Sequence, residues 1–101
     1  MRVLLTGAAG FIGSRIGAAL LSRGHEVVAV DAMLPAAHGA DARPPAGCAL
    51  LDVRDVDAVR GAMAGIDAVC HQAAVVGAGV NAADAPSYAA HNDLGTAVLL
   101  A

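Results

Sequence analysis

The stretch Thr6-Gly7-Ala8-Ala9-Gly10-Phe11-Ile12-Gly13 decides the fold. It follows a short apolar run, Val3 to Thr6, that reads as a buried strand. It opens a stretch from Phe11 to Leu21 in which Ile12, Ile16, Ala19 and Leu20 recur at helical spacing. A strand turned into a helix across three glycines has a mechanical meaning. Gly7 permits the sharp exit from the strand, and Gly10 lets a diphosphate approach the backbone with no side chain between. Gly13 lets the helix lie close on the sheet. The N–H groups at the helix start and the positive end of its dipole then face the anion.

Outward from this loop the chain alternates strands and helices. Gly24 ends the first helix, and Glu26 to Val30 form a second strand closing on Asp31, 18 residues past Gly13. That offset suits the acid of a dinucleotide site, which accepts hydrogen bonds from both ribose hydroxyls and repels a 2′-phosphate. The loop spacing, G-x-x-G-x-x-G, differs from the general G-x-G-x-x-G fingerprint. Residues 32–47 carry Pro35, Gly39, Pro44, Pro45 and Gly47 and read as a loop rather than a third helix. Cys48 to Leu51 is a short strand running into Asp52. Asp55 is placed to cap a helix whose buried side includes Val56, Val59 and Met63. Gly65 breaks that helix, Ile66 to His71 give a fourth strand, and Ala78 to Ala85 are loop-like. Pro86 stands at the first position of a last helix carrying Tyr88, Leu94, Val98 and Leu99. The order predicts an α/β fold, a doubly wound parallel sheet of about four strands covered on both faces. Because no cap closes the last helix at Ala101, residues 1–101 read as the N-terminal part of such a domain.

Composition narrows the function. The 101 residues allow one small domain. All six basic residues are Arg, and a chain with no Lys cannot complete a P-loop nucleotide hydrolase. A net charge of -3 and pI near 5.6 argue against binding nucleic acid through a basic face. Mean hydropathy is +0.63, yet no 18-residue window is free of charged or strongly polar side chains, so no membrane span is expected. Gly7, Gly10 and Gly13 interrupt the only stretch resembling a secretion signal. Cys48 and Cys70 are too few for a disulfide framework or a zinc site and read as buried, reduced hydrophobes, which suits the cytoplasm.

The same residues resemble the extended short-chain dehydrogenase/reductase family, in particular its NAD-dependent nucleotide-sugar epimerases and dehydratases. Thr6 to Gly13 is similar to that family's T-G-x-x-G-x-x-G loop, and Asp31 to its acidic strand end. Leu51-Asp52-Val53-Arg54-Asp55 looks like its adenine-contacting strand end, and Asp67-Ala68-Val69-Cys70-His71-Gln72-Ala73-Ala74 like its D-x-V-x-H-x-A-A strand. Asn92-Asp93-Leu94-Gly95-Thr96 resembles N-x-x-G-T of the next helix. The resemblance implies a Rossmann-like fold with NAD as cofactor. It implies a site made of Gly7, Ala9, Gly10, Phe11, Ile12, Gly13, Asp31, Asp52, Val53, Ala73, Ala74 and Asn92. Asp52 would meet the adenine amino group, Ala73 and Ala74 would leave room for ribose and diphosphate, and Asn92 would support the active site. A nucleotide sugar is the implied substrate, and a homodimer the implied assembly of the full-length protein. Sequence segments from His71 to Leu100 look most like dTDP-sugar 4-epimerases.

The family's chemistry uses a Tyr-x-x-x-Lys pair. Here Asn92 stands four residues after the only tyrosine, Tyr88, so no catalytic residue is assigned and the chain alone is expected to be inactive. His71 reads as a satisfied core histidine, Arg15 as a solvent-facing helix charge, and Gln72 as a departure from the more usual Leu. His25, His38 and His91 form no metal constellation. Two other readings stay open. One is a nucleotide-sensing regulator with the glycine loop and no catalytic Tyr. The other is a methyltransferase, against which Asp52, the His71 to Ala74 run and the Asn92 to Thr96 motif weigh.

Overall fold

A computed structural model describes residues 1–76 and 81–101. Four strands, β1 (Arg2–Thr6), β2 (Glu26–Asp31), β3 (Cys48–Leu50) and β4 (Ala68–His71), form one parallel sheet in the order β3-β2-β1-β4. The register aligns Thr6 with Val30 on one side and with His71 on the other, while Asp31 aligns with Leu50. β1 is paired on both edges, and Val3, Leu4, Leu5 and Thr6 are at most 5% exposed. These residues and Val30 are the centre of the core.

Helix α1 (Phe11–Ser22) crosses from β1 to β2. Its inner face is not the stripe the apolar spacing suggests. Gly13, Ile16, Gly17 and Leu20 are the covered positions, whereas Ile12 and Ala19 are exposed. The glycines bring the helix axis close, and a Cβ at Gly17 would stand 3.3 Å from Leu5 Cδ2. Within residues 32–47, expected to be all loop, Pro35–His38 make one helical turn, α2. Pro35 starts it because its fixed φ suits a first turn and the N–H it lacks would have no partner there.

Helix α3 (Val56–Ala62) is capped as read, with the Asp55 carboxylate accepting from Ala58 N at 3.1 Å. Val59 is its buried residue; Val56, at the first position, is 50% exposed beside Val98 and Leu99. β4 begins later than expected because Ile66 N still donates to Met63 O in the turn that closes α3. Of the expected loop at Ala78 to Ala85, residues 78–80 lie outside the described residues, and Ala82–Asp84 form a 3-10 turn. The last helix is three consecutive pieces: α4 (Ala85–Tyr88) with Pro86 at its second position, a π-helical segment (Ala89–Leu94), and α5 (Gly95–Leu100). Cys48 and Cys70 lie on the two edge strands and are half-buried free thiols, not buried ones.

Candidate functional site

The strand order reverses direction between β1 and β4, and an open α/β sheet places its ligand at the carboxyl ends beside such a switch point. A cleft of about 300 Å³ lies there. Its walls come from the glycine loop, the ends of β2 and β3, and the segment leaving β4.

The loop is held by backbone contacts that no side chain could share. Gly7 has φ +65°, and a Cβ on it would stand 2.8 Å from Ala73 N. A Cβ on Gly13 would overlap the Gly7 carbonyl, so this glycine closes the helix onto the loop, and Gly17 closes it onto the sheet. Gly10 N donates to Gly7 O at 3.1 Å and caps α1 without a side-chain hydrogen bond. No acid stands in the first turn. Its amides therefore remain free to receive an anion.

Of the twelve residues read from the sequence, Gly7, Ala9, Gly10, Phe11, Asp31, Asp52, Val53, Ala73 and Ala74 line the cleft. Ile12, Gly13 and Asn92 do not. The Ile12 side chain is 61% exposed on the outer side of α1, which leaves only its main chain for a ligand. Gly13 is spent on helix packing. Asn92 faces the chain instead: its Oδ1 accepts from Val75 N at 2.7 Å and its Nδ2 donates to Val75 O at 2.9 Å. It positions the cleft wall at Val75.

Asp31 is 7% exposed, and its carboxylate accepts from Ala9 N at 3.0 Å and Met33 N at 2.8 Å. It thereby ties the glycine loop to the end of β2. His38, carried by α2, brings Nε2 within 3.4 Å of Asp31 Oδ1. Burial, and then the charge of Asp31, raise the pKa of the Cys48 thiol. Asp52 grips Arg54, whose guanidinium donates to its Oδ2 at 2.6 Å. Hydrogen bonds from Arg54 are the main reason that the Asp52 carboxyl titrates below the usual carboxylate range. Val53 packs so tightly on Gly95 that a Cβ there would meet Val53 Cγ2 at 2.6 Å.

His71 is the centre of a hydrogen-bond chain. Thr6 Oγ1 accepts from Gln72 N and Ala73 N, each at 3.1 Å, so its one proton goes to His71 Nδ1 at 2.6 Å. The ring hydrogen therefore sits on Nε2 and points to Thr96 Oγ1 at 3.2 Å, and Thr96 donates to Asn92 O at 2.7 Å. Each proton in this chain therefore has one acceptor, and the chain runs in one direction from Thr6 to Asn92 O. Burial lowers the pKa of His71 from the ordinary histidine value, in keeping with this neutral form.

Sequence reasoning missed His38, Arg54 and His91 as neighbours of the site. His38 and Arg54 reach it by short local turns, and His91 by the π-helical segment. Arg15 lies over the Phe11 ring at 3.8 Å from its centre. Among the described residues no group of three His, Cys, Asp or Glu could hold a metal, and no helix is long and apolar enough to cross a membrane.

The chain resembles UDP-glucose 4-epimerase of Thermus thermophilus, whose structure contains NAD, with a TM-score of 0.79 and 39% identity over 99% of this chain and 32% of that one. An uncharacterized protein of Mycobacterium tuberculosis is 45% identical over 78 residues, 76% of this chain and 8% of that protein. The 3-beta-hydroxysteroid dehydrogenase of Mycolicibacterium neoaurum is 38% identical over 78 residues, 74% of this chain and 20% of the enzyme. The chain thus spans a third or less of each of these relatives. Residues 3–101 match the NAD dependent epimerase/dehydratase family. Since that match spans all but the first two residues, the chain belongs to the NAD-dependent epimerase/dehydratase family.

Proposed function

We propose that residues 1–101 are the NAD-binding part of a nucleotide-sugar epimerase or dehydratase, in particular a 4-epimerase. The observation that carries this reading is Asp31, bonded to the glycine loop at the switch-point cleft. The residues fit a dinucleotide: no side chain caps the first turn of α1, Ala73 and Ala74 keep one wall low, and Asp31 stands where a ribose would lie. The main chain from Gly10 to Gly13 would hold the diphosphate, and Asp52 and Val53 the adenine. Bound there, NAD supplies a hydride acceptor and donor. The substrate proposed is a nucleotide-linked hexose, epimerised at C4 through a 4-keto sugar, with dTDP- and UDP-hexoses the first candidates. The Thermus relative is named for UDP-glucose, which supports that class.

Within this chain's own residues the work is binding and orientation. Asp31 selects an unphosphorylated ribose, Asn92 fixes Val75, and Thr6 and His71 hold the turn beyond β4. The chain holds no Tyr-x-x-x-Lys pair and is proposed to be inactive alone, and the full-length protein to be a cytoplasmic homodimer.

Calorimetric titration of the chain with NAD and NADP tests the cofactor reading. NAD should bind more tightly by about tenfold or more, on the order of one charge-assisted contact, and Asp31→Ala should narrow the gap. Equal affinity of the unaltered chain for both cofactors would overturn it. For the reaction, the full-length protein with dTDP- or UDP-hexoses in deuterated water should invert C4 and leave C5 unlabelled. Label at C5 with a 4-keto-6-deoxy product would make it a dehydratase. Accumulation of NADH with a hydroxysteroid would instead favour the activity of the Mycolicibacterium relative. Binding of NAD with no turnover of any of these would favour the nucleotide sensor.

A further inference from the structure

The carboxylate read as the ribose acid does not stand alone. Each of its oxygens accepts one backbone N–H, Oδ2 from Ala9 and Oδ1 from Met33. These amides fix its orientation and bring no net charge. The third group upon it is the His38 ring, whose Nε2 lies 3.4 Å from Oδ1. Pro35 starts the helical turn that carries this ring back to the end of β2, and Leu34, Ala37 and His38 all line the cleft. The side chain of His38 is 18% exposed and that of Asp31 8%, so solvent screens the pair little while it borders the cleft. Among the described residues no other cation-forming side chain comes within 4 Å of Asp31.

Asp31 refuses a 2′-phosphate by its charge, so a change of charge beside it changes the refusal. With a neutral His38 ring the pair carries one negative charge; with a protonated ring it carries none. Histidine is the side chain that makes this change between about pH 5 and 8. Few other groups around the cleft could do the same. Burial raises the pKa of Cys48 on β3, and Arg54 lowers that of Asp52, so over this range the thiol stays neutral and the carboxylate charged. The glycine loop and the segment leaving β4 carry no titratable side chain. His91 on the last helix also lines the cleft, outside ion-pair reach of Asp31.

We infer that His38 is a specificity-determining partner of Asp31: the two side chains act as one charge unit beside the ribose, which refuses a 2′-phosphate in alkaline solution and admits it more readily in acid. The inference rests on the reading of Asp31 as the ribose acid and adds the residue that sets how far that acid discriminates.

The test is calorimetry of the chain with NAD and NADP at pH 8 and at pH 5.5, read as the ratio of the two affinities. Any loss of folded chain in acid acts on both dinucleotides and cancels in the ratio. The preference for NAD should shrink about tenfold between the two conditions, on the order expected when one nearby charge is neutralised. The 2′-phosphate itself gains a proton near pH 6 and supplies part of that change. His38→Gln, which stays neutral, should keep only the phosphate's part, about threefold or less. His38→Arg, charged throughout, should show the reduced preference already at pH 8. A merely structural His38 would weaken both dinucleotides alike in these variants and leave the ratio as it was. A ratio that does not change with pH in the unaltered chain, or that changes as much in His38→Gln, overturns the inference and leaves the cofactor reading standing. If the unaltered chain binds both dinucleotides equally at pH 8, the reading of Asp31 fails, and this inference with it.

Discussion

The two ends of the cleft are built by different means. At the glycine loop, contacts between backbones set the geometry: Gly7 against Ala73, Gly13 against the Gly7 carbonyl, both resting on a strand whose Val3 to Thr6 are at most 5% exposed. At the end formed by β4 and the last helix, side chains do so. His71 reaches Thr96, and Asn92 brackets Val75, with Thr96 itself exposed. The first arrangement cannot change without unpacking the core. The second can open one hydrogen bond at a time, so the loop end should fail by unfolding and the far end by local opening.

The largest effect should come from removing the support beneath the loop. Leu4 is 1% exposed between two paired strands. Leu4→Ala should cost about 2–5 kcal/mol in urea unfolding, the usual range for a fully buried leucine. A loss as small as that of Asn92→Ala, one pair of partly exposed hydrogen bonds, would erase the contrast. Gly13→Ala comes next. Its methyl would overlap the Gly7 carbonyl, so helix and loop must move apart, at about 1–3 kcal/mol, an ordinary penalty for overpacking. Dinucleotide binding should fall further than stability does, since the displaced amides are those proposed to hold the diphosphate. Retained NAD affinity in a folded Gly13→Ala chain would contradict that account.

This contrast also explains what could be read from the sequence. The four strands, their parallel order and the loop were legible because Gly7, Gly10 and Gly13 have local geometric consequences, and Asp31 follows at a fixed offset. The Asp55 cap was legible for the same reason: it acts on a residue three positions away. The inner face of α1 was legible only in part: Gly13, Ile16 and Leu20 lie on it, but Gly17, which an apolar count ignores, completes it, and Ile12 and Ala19 are exposed. The split of the last helix was not legible. The π-helical segment carries the Thr96 bond to Asn92 O and the Asn92 clamp on Val75, and the latter partners are 17 residues apart. His38 and His91 looked like scattered histidines, since nothing in their spacing shows that both line the cleft or that His38 meets Asp31.

Away from both ends, Asp55→Ala should cost about 1 kcal/mol, the usual worth of an N-cap, with NAD affinity unchanged. The helix it caps, α3, does not supply a cleft residue. A drop in affinity without a drop in stability would show that α3 reaches the cleft through Asp52 and Val53.

The smallest effect is the dependence on pH, and it separates the far end from the segment that follows β3. His71 is harder to protonate in the folded chain than in the unfolded one. Between its lowered folded value and the ordinary value of about 6.5, the unfolded chain takes up a proton that the folded chain refuses. Stability from this group is therefore complete above that ordinary value and declines as pH falls through the lowered one. Asp52 behaves the same way in a more acidic window, because its folded carboxyl titrates below the ordinary carboxylate value of 3.8. The urea midpoint should accordingly decline in two stages, the first below about pH 6.5 and the second below about pH 4. His71→Gln should flatten the first stage and leave the second, while Arg54→Ala should do the reverse. An unaltered first stage in His71→Gln would mean that the Thr6–His71–Thr96 chain is not what acid disrupts at the far end of the cleft.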